Sequence, residues 1–436
     1  MKKFFLITLG CKVNQCESEA LAGCLTQLGM QLSDNIEEAD VIVINTCTVT
    51  QTAGSKSRQT IRRCIRHKKQ GALLAVVGCY VSVEKEQIEI IEGVDILLAS
   101  QDKDLLPDEI CRRFGIDPAG IPSCFYDSAI SADVESNLRT RAYLKVEDGC
   151  EQFCTYCIVP YARGKVVSLP EEKAVEQLEE LICAGYKEVV VTGIHLGMYG
   201  RDLGPEHNLS SLVRAIVQRA GNRIRVRLSS IEVTDITDEF IDLFAKHDNI
   251  CPHLHIPLQS GSDRILDIMN RGYTSKEFID IVAKIKAVRP ETSFTTDIIV
   301  GFPNETDDDF MQTLQVTEKA AFSRAHVFRF SPRKGTPAAD MEHQISGTVK
   351  EQRSQQLIAR AEILAQQYHK SLIGETRHVL IETQSADGIA EGYSEDYVRV
   401  RITGMPKVIA GKSIINEIIL VKIEDADTQE ATGVVL

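Results

Sequence analysis

The sequence predicts an α/β protein with an N-terminal parallel α/β domain, a partial (βα)6 barrel and a small C-terminal all-β barrel. Three observations predict this architecture. Short apolar runs alternate with amphipathic helical stretches at the start of the chain, and a strand followed by a helix then recurs about six times between Ala142 and Phe330. Beyond Gly374 the pattern changes to short β-type runs separated by turn residues.

The N-terminal domain is assigned to residues 1–130. Its first helix is predicted at Glu17–Leu28, because leucines recur there on one face and Gly29 ends the pattern. Proline and glycine residues later interrupt the alternation of strand-like and helical stretches. This interruption places a domain boundary near residues 125–138. The predicted strands of this domain are Phe4–Leu9, Val41–Ile44 and Leu73–Val77.

The middle domain is assigned to residues 138–370, and a long predicted helix, Val349–Ile373, follows its last strand. Eight parallel βα units close into a barrel, so six units indicate an incomplete barrel. An open side would admit a large substrate. The predicted strands are Tyr143–Val146, Glu188–Thr192, Ile224–Leu228, His253–Pro257, Phe294–Val300 and Ala325–Phe330.

Residues 371–436 form the predicted C-terminal β domain. Small all-β modules of this size are commonly barrels of the OB or a similar kind, and such barrels often bind RNA. The predicted strands are Arg377–Glu382, Tyr397–Ile402 and Ile414–Ile423.

Composition restricts the class of protein. With 43% hydrophobic and 25% charged residues, the 436-residue chain resembles ordinary soluble globular proteins. No stretch approaches the roughly 20 apolar residues of a membrane span, and Phe4–Leu9 is too short for the core of a signal peptide. We therefore expect a cytoplasmic protein with no membrane contact. Its 13 cysteines then serve metal binding, catalysis or packing rather than disulfides.

Charge is unevenly distributed along the chain. The net charge of −13 argues against a protein that coats nucleic acid with its whole surface. The stretch Lys56–Lys69, called the basic segment below, nevertheless contains seven lysines and arginines and no acidic residue. It is either a solvated helix face or a confined contact with a polyanion.

The most specific motif is Cys150, Cys154 and Cys157, a CxxxCxxC spacing just after the first barrel strand. Three thiolates this close can converge on one iron–sulfur cluster, and three rather than four leave one iron without a protein ligand. Structural zinc is the alternative, but a zinc site usually has four ligands in paired spacings. The motif therefore favours an iron–sulfur cluster with an open iron.

Three further cysteines, Cys11, Cys47 and Cys79, each follow one of the N-terminal strands. The carboxyl ends of neighbouring parallel strands lie along one edge of a sheet, where ligands bind. These three cysteines are thus predicted to form one site. Core packing is expected for Cys24 and Cys64, and no ligand role is expected for Cys16, Cys111, Cys124, Cys183 and Cys251.

The CxxxCxxC motif in this barrel position resembles the radical S-adenosylmethionine (SAM) superfamily, and with the N-terminal cysteines the chain resembles the methylthiotransferase family over nearly its whole length. The form Gly10-Cys11-Lys12-Val13-Asn14 resembles the branch that modifies N6-threonylcarbamoyladenosine at tRNA position 37; the isopentenyladenosine branch resembles GCQMN and the ribosomal-protein branch GCPKN. The other matching segments are Asn45–Thr50, Val77–Tyr80, Cys150–Cys157, Leu254–Ser262, Thr296–Pro303 and Glu305–Thr306, with the C-terminal β domain in the place of the family's TRAM domain.

This resemblance implies two 4Fe-4S clusters and SAM as cofactors. Cys150, Cys154 and Cys157 would hold the cluster that cleaves SAM, whereas Cys11, Cys47 and Cys79 would hold an auxiliary cluster that carries the sulfur. One SAM would methylate that sulfur, and a second would yield the radical that takes hydrogen from C2 of the adenine. The methylthio group would then join that carbon.

Side chains at the carboxyl ends of the barrel strands are the expected SAM and substrate contacts. Tyr156 is expected to pack on the adenine of SAM. For each residue the alternative is a turn, a loop hydrogen bond or a helix cap. The cofactor-binding candidates are Tyr156, Gly193, His195, Ser229, Glu232, Gln259 and Asp297, and Thr192, Ser230, Ser260, Gly261, Ser331 and Arg333 complete the ring.

The implied partners are the anticodon loop of tRNA, an electron donor such as flavodoxin or ferredoxin, and a sulfur source. The C-terminal β domain and the basic segment are the expected tRNA contacts. Two alternatives are an enzyme that methylthiolates an aspartate of a ribosomal protein and an RNA-binding iron–sulfur protein without this activity, for example a redox sensor. Two cysteine triads favour an enzyme over the sensor.

Overall fold

The computed structural model describes residues 1–116, 140–403, 408–409 and 412–436. The predicted domain boundary near residues 125–138 and Cys124 therefore lie outside the described residues. Over those that are described, the chain divides into two compact units. The first unit comprises Met1–Leu138, Lys145–Glu180 and Ser331–Ala339, and the second comprises Arg139–Leu144, Leu181–Phe330 and Asp340–Leu436.

The first unit is built on a five-stranded parallel sheet in the order β2-β1-β3-β4-β5. The central strand β3 is buried along its whole length, as expected for an apolar strand between neighbours in a covered parallel sheet. The strands are β1 Lys3–Thr8, β2 Gln31–Leu32, β3 Val41–Thr46, β4 Leu73–Gly78 and β5 Ile96–Leu98, and the helices are α1 Lys12–Gln27, α2 Gln51–His67, α3 Cys79–Glu89 and α4 Leu106–Phe114.

The first helix differs from its prediction. It begins at Lys12 rather than Glu17, so that Cys11 is its extended N-cap residue. The buried side chains of its first turns are largely polar, namely Asn14, Glu17 and Ser18. An apolar periodicity does not reveal such a turn, because the side chains that face inward there are held by hydrogen bonds.

From residue 140 onward, the chain forms the short elements that surround the CxxxCxxC loop. The antiparallel pair β7–β8 brackets the CxxxCxxC loop, with Glu147 opposite Ser168. The elements are β6 Arg141–Lys145, β7 Glu147–Asp148, α5 Val159–Arg163, β8 Val167–Ser168 and α6 Glu171–Cys183.

The second unit contains the predicted βα repeats. Two three-stranded sheets, β6-β9-β10 and β11-β12-β13, are joined by isolated parallel bridges from Val226 to Ile250 and from Ser230 to His255. The six-strand prediction is confirmed. The elements are β9 Glu188–Thr192, α7 Leu209–Ala220, β10 Arg225–Leu228, α8 Asp238–Lys246, β11 His253–His255, α9 Asp263–Ile268, α10 Ser275–Val288, β12 Ser293–Val300, α11 Asp307–Ala320, β13 Arg324–Arg329 and α12 Gly347–Ser371.

The C-terminal part closes into a five-stranded barrel in the order β14-β15-β16-β20-β19, with a core that includes Val379, Val400 and Val421. Two of its strands, β15 and β20, were not predicted; they are four and five residues long and each contains a glycine. The strands are β14 Thr376–Gln384, β15 Ala390–Tyr393, β16 Arg399–Ile402, β17 Val408–Ile409, β18 Lys412–Ser413, β19 Ile418–Ala426 and β20 Ala431–Val435.

Helices of the described chain are each too short or too polar to cross a membrane.

Candidate cluster and cofactor sites

The structure places three N-terminal cysteines at the carboxyl edge of the parallel sheet. Cys47 follows β3 directly, Cys79 follows β4 directly, and Cys11 stands between β1 and α1. Cys11 is exposed, whereas Cys47 and Cys79 are nearly buried. Burial raises the pKa of the Cys47 thiol, and the sulfurs of Cys79 and Cys11 raise it further. The three cysteines therefore share the edge at which these parallel strands end.

Two glycines permit this close approach. Gly10, just before Cys11, has a φ of +114°, and a Cβ there would lie 2.8 Å from the Cβ of Cys47. Gly78, just before Cys79, has a φ of +102°, and a Cβ there would lie 2.8 Å from the carbonyl oxygen of Thr46. Only glycine meets both the backbone and the steric requirement at these positions.

Asn14 ties two of the cysteine loops together. Its Nδ2 donates to the carbonyl oxygens of Leu9, 2.7 Å away, and Thr46, 3.0 Å away. Its Oδ1 lies 3.8 Å from the Sγ of Cys11 and accepts a 2.5 Å hydrogen bond from Nη2 of Arg163. The side chain thus spans the ends of β1 and β3.

A buried ionic cluster adjoins this edge of the sheet. Glu17 forms ion pairs with Lys103, with Lys145 at 3.2 Å and with Arg163 at 2.8 Å, and its side chain is 2% exposed. Arg163 and Lys145 also pair with Asp148, at 2.8 and 2.7 Å. Buried charges persist when they are paired in this way.

No role was predicted from the sequence for Asn14, Glu17 or Arg163. One sequence feature could have revealed the first two. Asn14, Glu17 and Ser18 follow the i, i+3, i+4 spacing of a single helix face, so the sequence could have predicted a polar face on the first turns of α1. Arg163 lies 146 positions from Glu17, and no local pattern connects them.

The CxxxCxxC loop is compact and contains a tight turn. The backbone N–H of Cys157 donates to the carbonyl oxygen of Cys154 at 2.9 Å, and Phe153 has a left-handed φ of +49°. Cys150 and Cys154 are buried, and Cys157 is half-buried. Before the loop, Gly149 has a φ of +89°, and a Cβ there would lie 2.0 Å from the carbonyl oxygen of Lys165.

Both donor sets suit iron–sulfur chemistry. Each offers three thiols, the ligand type that holds such clusters. In the described ranges no three His, Cys, Asp or Glu side chains stand close enough to hold a single metal ion. A four-iron cluster binds each cysteine through a different iron, so its thiols stand farther apart than the ligands of one ion.

The remaining cysteines are mostly buried. Cys24 and Cys64, expected in the core, are 1% and 0% exposed, and Cys111 and Cys251 are also buried. Cys183 is exposed. Cys16 is partly exposed, and burial of its thiol, together with nearby Glu19, raises its pKa well above the usual value.

Three of the candidate cofactor residues have ionisable partners in the second unit. His195 Nε2 lies 2.8 Å from Oδ2 of Asp235, and Asp297 lies 3.5 Å from His255. Glu232 forms an ion pair with Arg271. His195 follows β9, Glu232 follows β10, and Asp297 lies within β12. Gly193 follows β9 and is partly exposed, and Tyr156, in the first unit, is half-buried.

Ser229 and Gln259 differ from these paired residues. Ser229, just after β10, is 4% exposed, and within the described structure its buried Oγ has no hydrogen-bond partner. Gln259 has a left-handed φ of +60° and donates its backbone N–H to the carbonyl oxygen of Asp297 at 2.8 Å. A buried unpaired hydroxyl and a strained backbone are typical of binding sites, so these residues fit a polar cofactor such as SAM.

Other members of the predicted ring have protein partners. Ser260 and Gly261 pack against Thr313 through hydrogen bonds of 3.4 and 3.0 Å. Arg333, in the first unit, donates to Thr48 and forms a 2.8 Å ion pair with Glu84. Thr192 and Ser230 stand at strand ends beside Gly193 and Ser229, and Ser331 begins the Ser331–Ala339 part of the first unit.

Comparison with known proteins agrees with this architecture. The Radical SAM superfamily matches residues 144–316, and a family described as Uncharacterized protein family UPF0004 matches residues 3–99. Among solved structures, the radical S-adenosylmethionine methyltransferase TsrM from Kitasatospora setae is 16% identical with a TM-score of 0.59, covering 78% of this chain and 77% of that one. This likeness concerns the fold alone.

Curated relatives are closer in sequence. The threonylcarbamoyladenosine tRNA methylthiotransferase MtaB of Bacillus subtilis is 40% identical over 95% of this chain and 92% of its own length. MtaB of Thermotoga maritima is 40% identical over 93% of this chain and 92% of its own length. The tRNA-2-methylthio-N(6)-dimethylallyladenosine synthase of Acetivibrio thermocellus is 33% identical over 99% of this chain and 90% of its own length.

The barrel strands and the three-cysteine loop define a radical SAM enzyme, a class that uses SAM and a 4Fe-4S cluster. Within that class the full-length similarity is decisive. The chain belongs to the radical SAM methylthiotransferase family.

Proposed function

We propose that this enzyme converts N6-threonylcarbamoyladenosine at position 37 of tRNA, next to the anticodon, to its 2-methylthio derivative. The observation that carries the proposal is 40% identity over 95% of the chain to a relative named for this nucleoside. The relative named for the dimethylallyl nucleoside is 33% identical. Lys12 and Val13 in the first cysteine motif favour the same branch.

The proposal includes two 4Fe-4S clusters. Cys150, Cys154 and Cys157 are the proposed ligands of the cluster that binds SAM, and Cys11, Cys47 and Cys79 those of an auxiliary cluster that carries sulfur. The shared edge of the parallel sheet and the close approach of Gly10, the neighbour of Cys11, to Cys47 support the second set.

When bound, SAM and its cluster supply a carbon-centred radical that can take hydrogen from an unactivated aromatic carbon. The protein's own contribution is position and exclusion of water. Ser229 is proposed to form a hydrogen bond with SAM, because its hydroxyl is buried and has no partner within the described structure. Glu232, His195 and Asp297 are proposed contacts whose side-chain partners Arg271, Asp235 and His255 fix their orientation. Tyr156, Gly193 and Gln259 complete the proposed SAM contacts.

The enzyme would bind the tRNA through contacts with the single-stranded anticodon loop and through the negative charge of its phosphates. A base in the anticodon loop can leave its stack at a lower energetic cost than a base in a duplex. The C-terminal barrel and the basic segment on α2 are the proposed tRNA contacts. Flavodoxin or ferredoxin is the proposed type of electron donor, a separate sulfur source is required, and the tRNA substrate favours the cytoplasm as the place of action.

The proposal is tested by mass spectrometry of tRNA nucleosides from a strain that lacks the gene and from the same strain carrying the gene again. We expect the 2-methylthio form of N6-threonylcarbamoyladenosine to disappear and return, while the dimethylallyl derivative stays constant. Loss of the dimethylallyl derivative instead would assign the other tRNA branch. If both nucleosides are unchanged and a ribosomal-protein aspartate loses its methylthio group, the tRNA proposal is wrong.

A further inference from the structure

We propose that Arg163 is a positioning residue for the N-terminal cysteines, which it reaches through Asn14, and that its guanidinium places a fixed positive charge beside the cluster they hold. The inference rests on the proposed auxiliary cluster. It links two cysteine sets that are far apart in sequence but belong to the same compact unit.

Arg163 is tied to the CxxxCxxC loop through the chain itself. It is the last residue of α5, Val159–Arg163, which begins two residues after Cys157. The backbone N–H of Cys150 also donates to the carbonyl oxygen of the next residue, Gly164, at 3.2 Å. Its side chain is 1% exposed, so its position is set by protein contacts.

The guanidinium determines how the Asn14 amide is oriented. Arginine can only donate hydrogen bonds, so the Asn14 atom that faces Nη2 of Arg163 at 2.5 Å must be the carbonyl oxygen. The NH2 group then points the other way and donates to the carbonyls of Leu9 and Thr46. These residues lie close to Cys11 and Cys47. Arg163 thereby holds both cysteine loops through one rigid amide.

Arg163 is shared between the ionic cluster and Asn14. Its Nη1 pairs with Glu17 and with Asp148, both at 2.8 Å, while its Nη2 donates to Asn14. Lys103 and Lys145 also pair with Glu17. Thiolates and a reduced cluster are negative, so a buried guanidinium in contact with Asn14 would stabilise them in the cofactor-bound protein.

The electrostatics of Arg163 agree with that location. Burial opposes the charged form of its guanidinium. The carboxylates of Glu17 and Asp148 and the sulfurs of Cys79 and Cys11 outweigh burial and hold its pKa well above the usual value. Arg163 is therefore a permanent cation, and the Asn14 Oδ1 atom to which it donates lies 3.8 Å from the Sγ of Cys11.

The experiment measures the midpoint potential of the auxiliary cluster by EPR-monitored redox titration of the full-length chain carrying Cys154→Ala. This background removes one ligand of the other cluster, and anaerobically reconstituted protein should retain about four irons. In the same background, Arg163→Gln should move the potential to a more negative value, because the reduced cluster loses a nearby cation. Arg163→Lys keeps the charge and should restore the potential, with faster loss of iron to a chelator.

Asn14→Asp tests the positioning role separately. The aspartate can still accept from Arg163 but cannot donate to the Leu9 and Thr46 carbonyls, so iron should be lost to a chelator faster than from the Cys154→Ala parent. The control is Arg289→Gln, another buried arginine, bonded to Glu291 and the Phe244 carbonyl in the second unit. It should leave the potential and the iron content unchanged.

Two failures are distinguishable. An unchanged potential and unchanged iron retention in Arg163→Gln and Asn14→Asp would overturn the inference and leave the auxiliary cluster in place. If Cys154→Ala protein holds no cluster while Cys79→Ala protein holds about four irons, the auxiliary cluster itself is refuted and the inference with it. If Arg163→Gln does not fold, equal potentials and equal iron retention in Arg163→Lys, Asn14→Asp and the parent overturn the inference.

Discussion

The hydroxyl of Ser229 is energetically unusual. Most buried polar atoms in folded proteins have a hydrogen-bond partner, and one that has none calls for an explanation, such as a bound ligand that completes it. Ser260, on a neighbouring strand end, shows the ordinary arrangement: its Oγ lies 3.4 Å from Thr313 Oγ1 and accepts from the backbone N–H of Ser262 at 3.2 Å. The two serines therefore form a natural pair for comparison.

We predict that Ser229→Ala leaves the free energy of unfolding unchanged or raises it by up to about 1 kcal/mol, because no hydrogen bond of the described structure is lost. The same change should weaken SAM binding by about two- to tenfold if the hydroxyl contacts the cofactor. Denaturant unfolding of the protein without cofactors and calorimetric SAM titration of reconstituted protein measure the two effects.

Ser260→Ala is the matched control for stability. It removes the acceptor of the Ser262 N–H and should lower the free energy of unfolding by about 1–3 kcal/mol. Equal destabilisation by the two changes would show that Ser229 has a structural partner, and unchanged SAM affinity would remove it from the cofactor site.

Strands β9 and β10 begin with a buried charge network. Glu188, the first residue of β9, is 0% exposed and pairs with Arg225 at 2.6 Å and Arg227 at 2.8 Å, both from β10. The same arginines donate to carbonyl oxygens of the C-terminal barrel region, at His378 and Tyr393 for Arg225 and at Ser394 and Glu395 for Arg227. The network thus joins two strands of the βα core to the barrel.

Burial of Glu188 raises its pKa, but Arg227 and Arg225 outweigh this effect and lower the pKa from 4.5 to about 2. A carboxyl group whose pKa is depressed by folding stabilises the protein fully above its unfolded-state pKa and loses that contribution as pH falls toward its folded-state pKa. The window for Glu188 is therefore between about pH 4.5 and pH 2.

We predict that Glu188→Gln lowers the free energy of unfolding by about 3–5 kcal/mol at pH 7, because it leaves buried arginines uncompensated. The difference from the wild type should shrink below pH 4.5, where the native carboxylate begins to lose its advantage. Denaturant unfolding of both proteins across a pH series measures it.

Glu239→Gln is the control for this prediction, because Glu239 pairs with Arg214 on the surface at 2.6 Å with both side chains about half exposed. Its effect should stay below about 1 kcal/mol. A Glu188→Gln penalty that does not change between pH 7 and pH 3 would contradict the assigned ionisation.

The C-terminal barrel region contacts one end of the strands in the second unit, the end at which these strands begin. Glu188, Arg225 and Ser293 are first residues of their strands, and Ser293 Oγ also donates to the Asp396 carbonyl at 2.5 Å. The barrel is thus docked at the amino ends of the core strands. Ser229 and Glu232 instead follow β10 at its carboxyl end.

Positive charge is concentrated on one helix of an acidic molecule. Most of the basic segment lies on α2, where Lys56, Arg62, Arg63 and Arg66 are exposed and, among the described residues, form no ion pair. Lys68 and Lys69 instead pair with Asp95 and Asp40, each at 3.0 Å. The helix face itself is therefore the part of the segment that is available to a polyanion.

We predict that combined Arg62→Ala, Arg63→Ala and Arg66→Ala substitutions weaken tRNA binding by roughly tenfold or more and reduce the slope of log affinity against log salt by about 2. Filter-binding or fluorescence titrations at several salt concentrations measure both quantities. A control with Lys246, Lys276 and Lys284 changed to alanine removes exposed cations that pair with aspartates. Identical affinity and slope in both variants would discard the basic segment as a tRNA contact.

Local sequence patterns were sufficient to predict much of the secondary structure and one cysteine motif of this protein. The CxxxCxxC motif, the six core strands and the long helix α12 were predicted, because short spacings and apolar periodicity are properties of consecutive residues. The start of α1 was predicted wrongly, since its inward face is polar. Strands β15 and β20 were missed because they are short and contain glycine, which weakens the strand pattern.

The tertiary structure alone decided which distant polar groups meet. Arg163 and Asn14 are 149 positions apart, and Arg227 reaches a carbonyl 167 positions away. Apolar burial follows from periodicity and is readable along the chain. Buried charges and amides are stable only when specific partners satisfy them, and the fold, rather than any local pattern, brings those partners together.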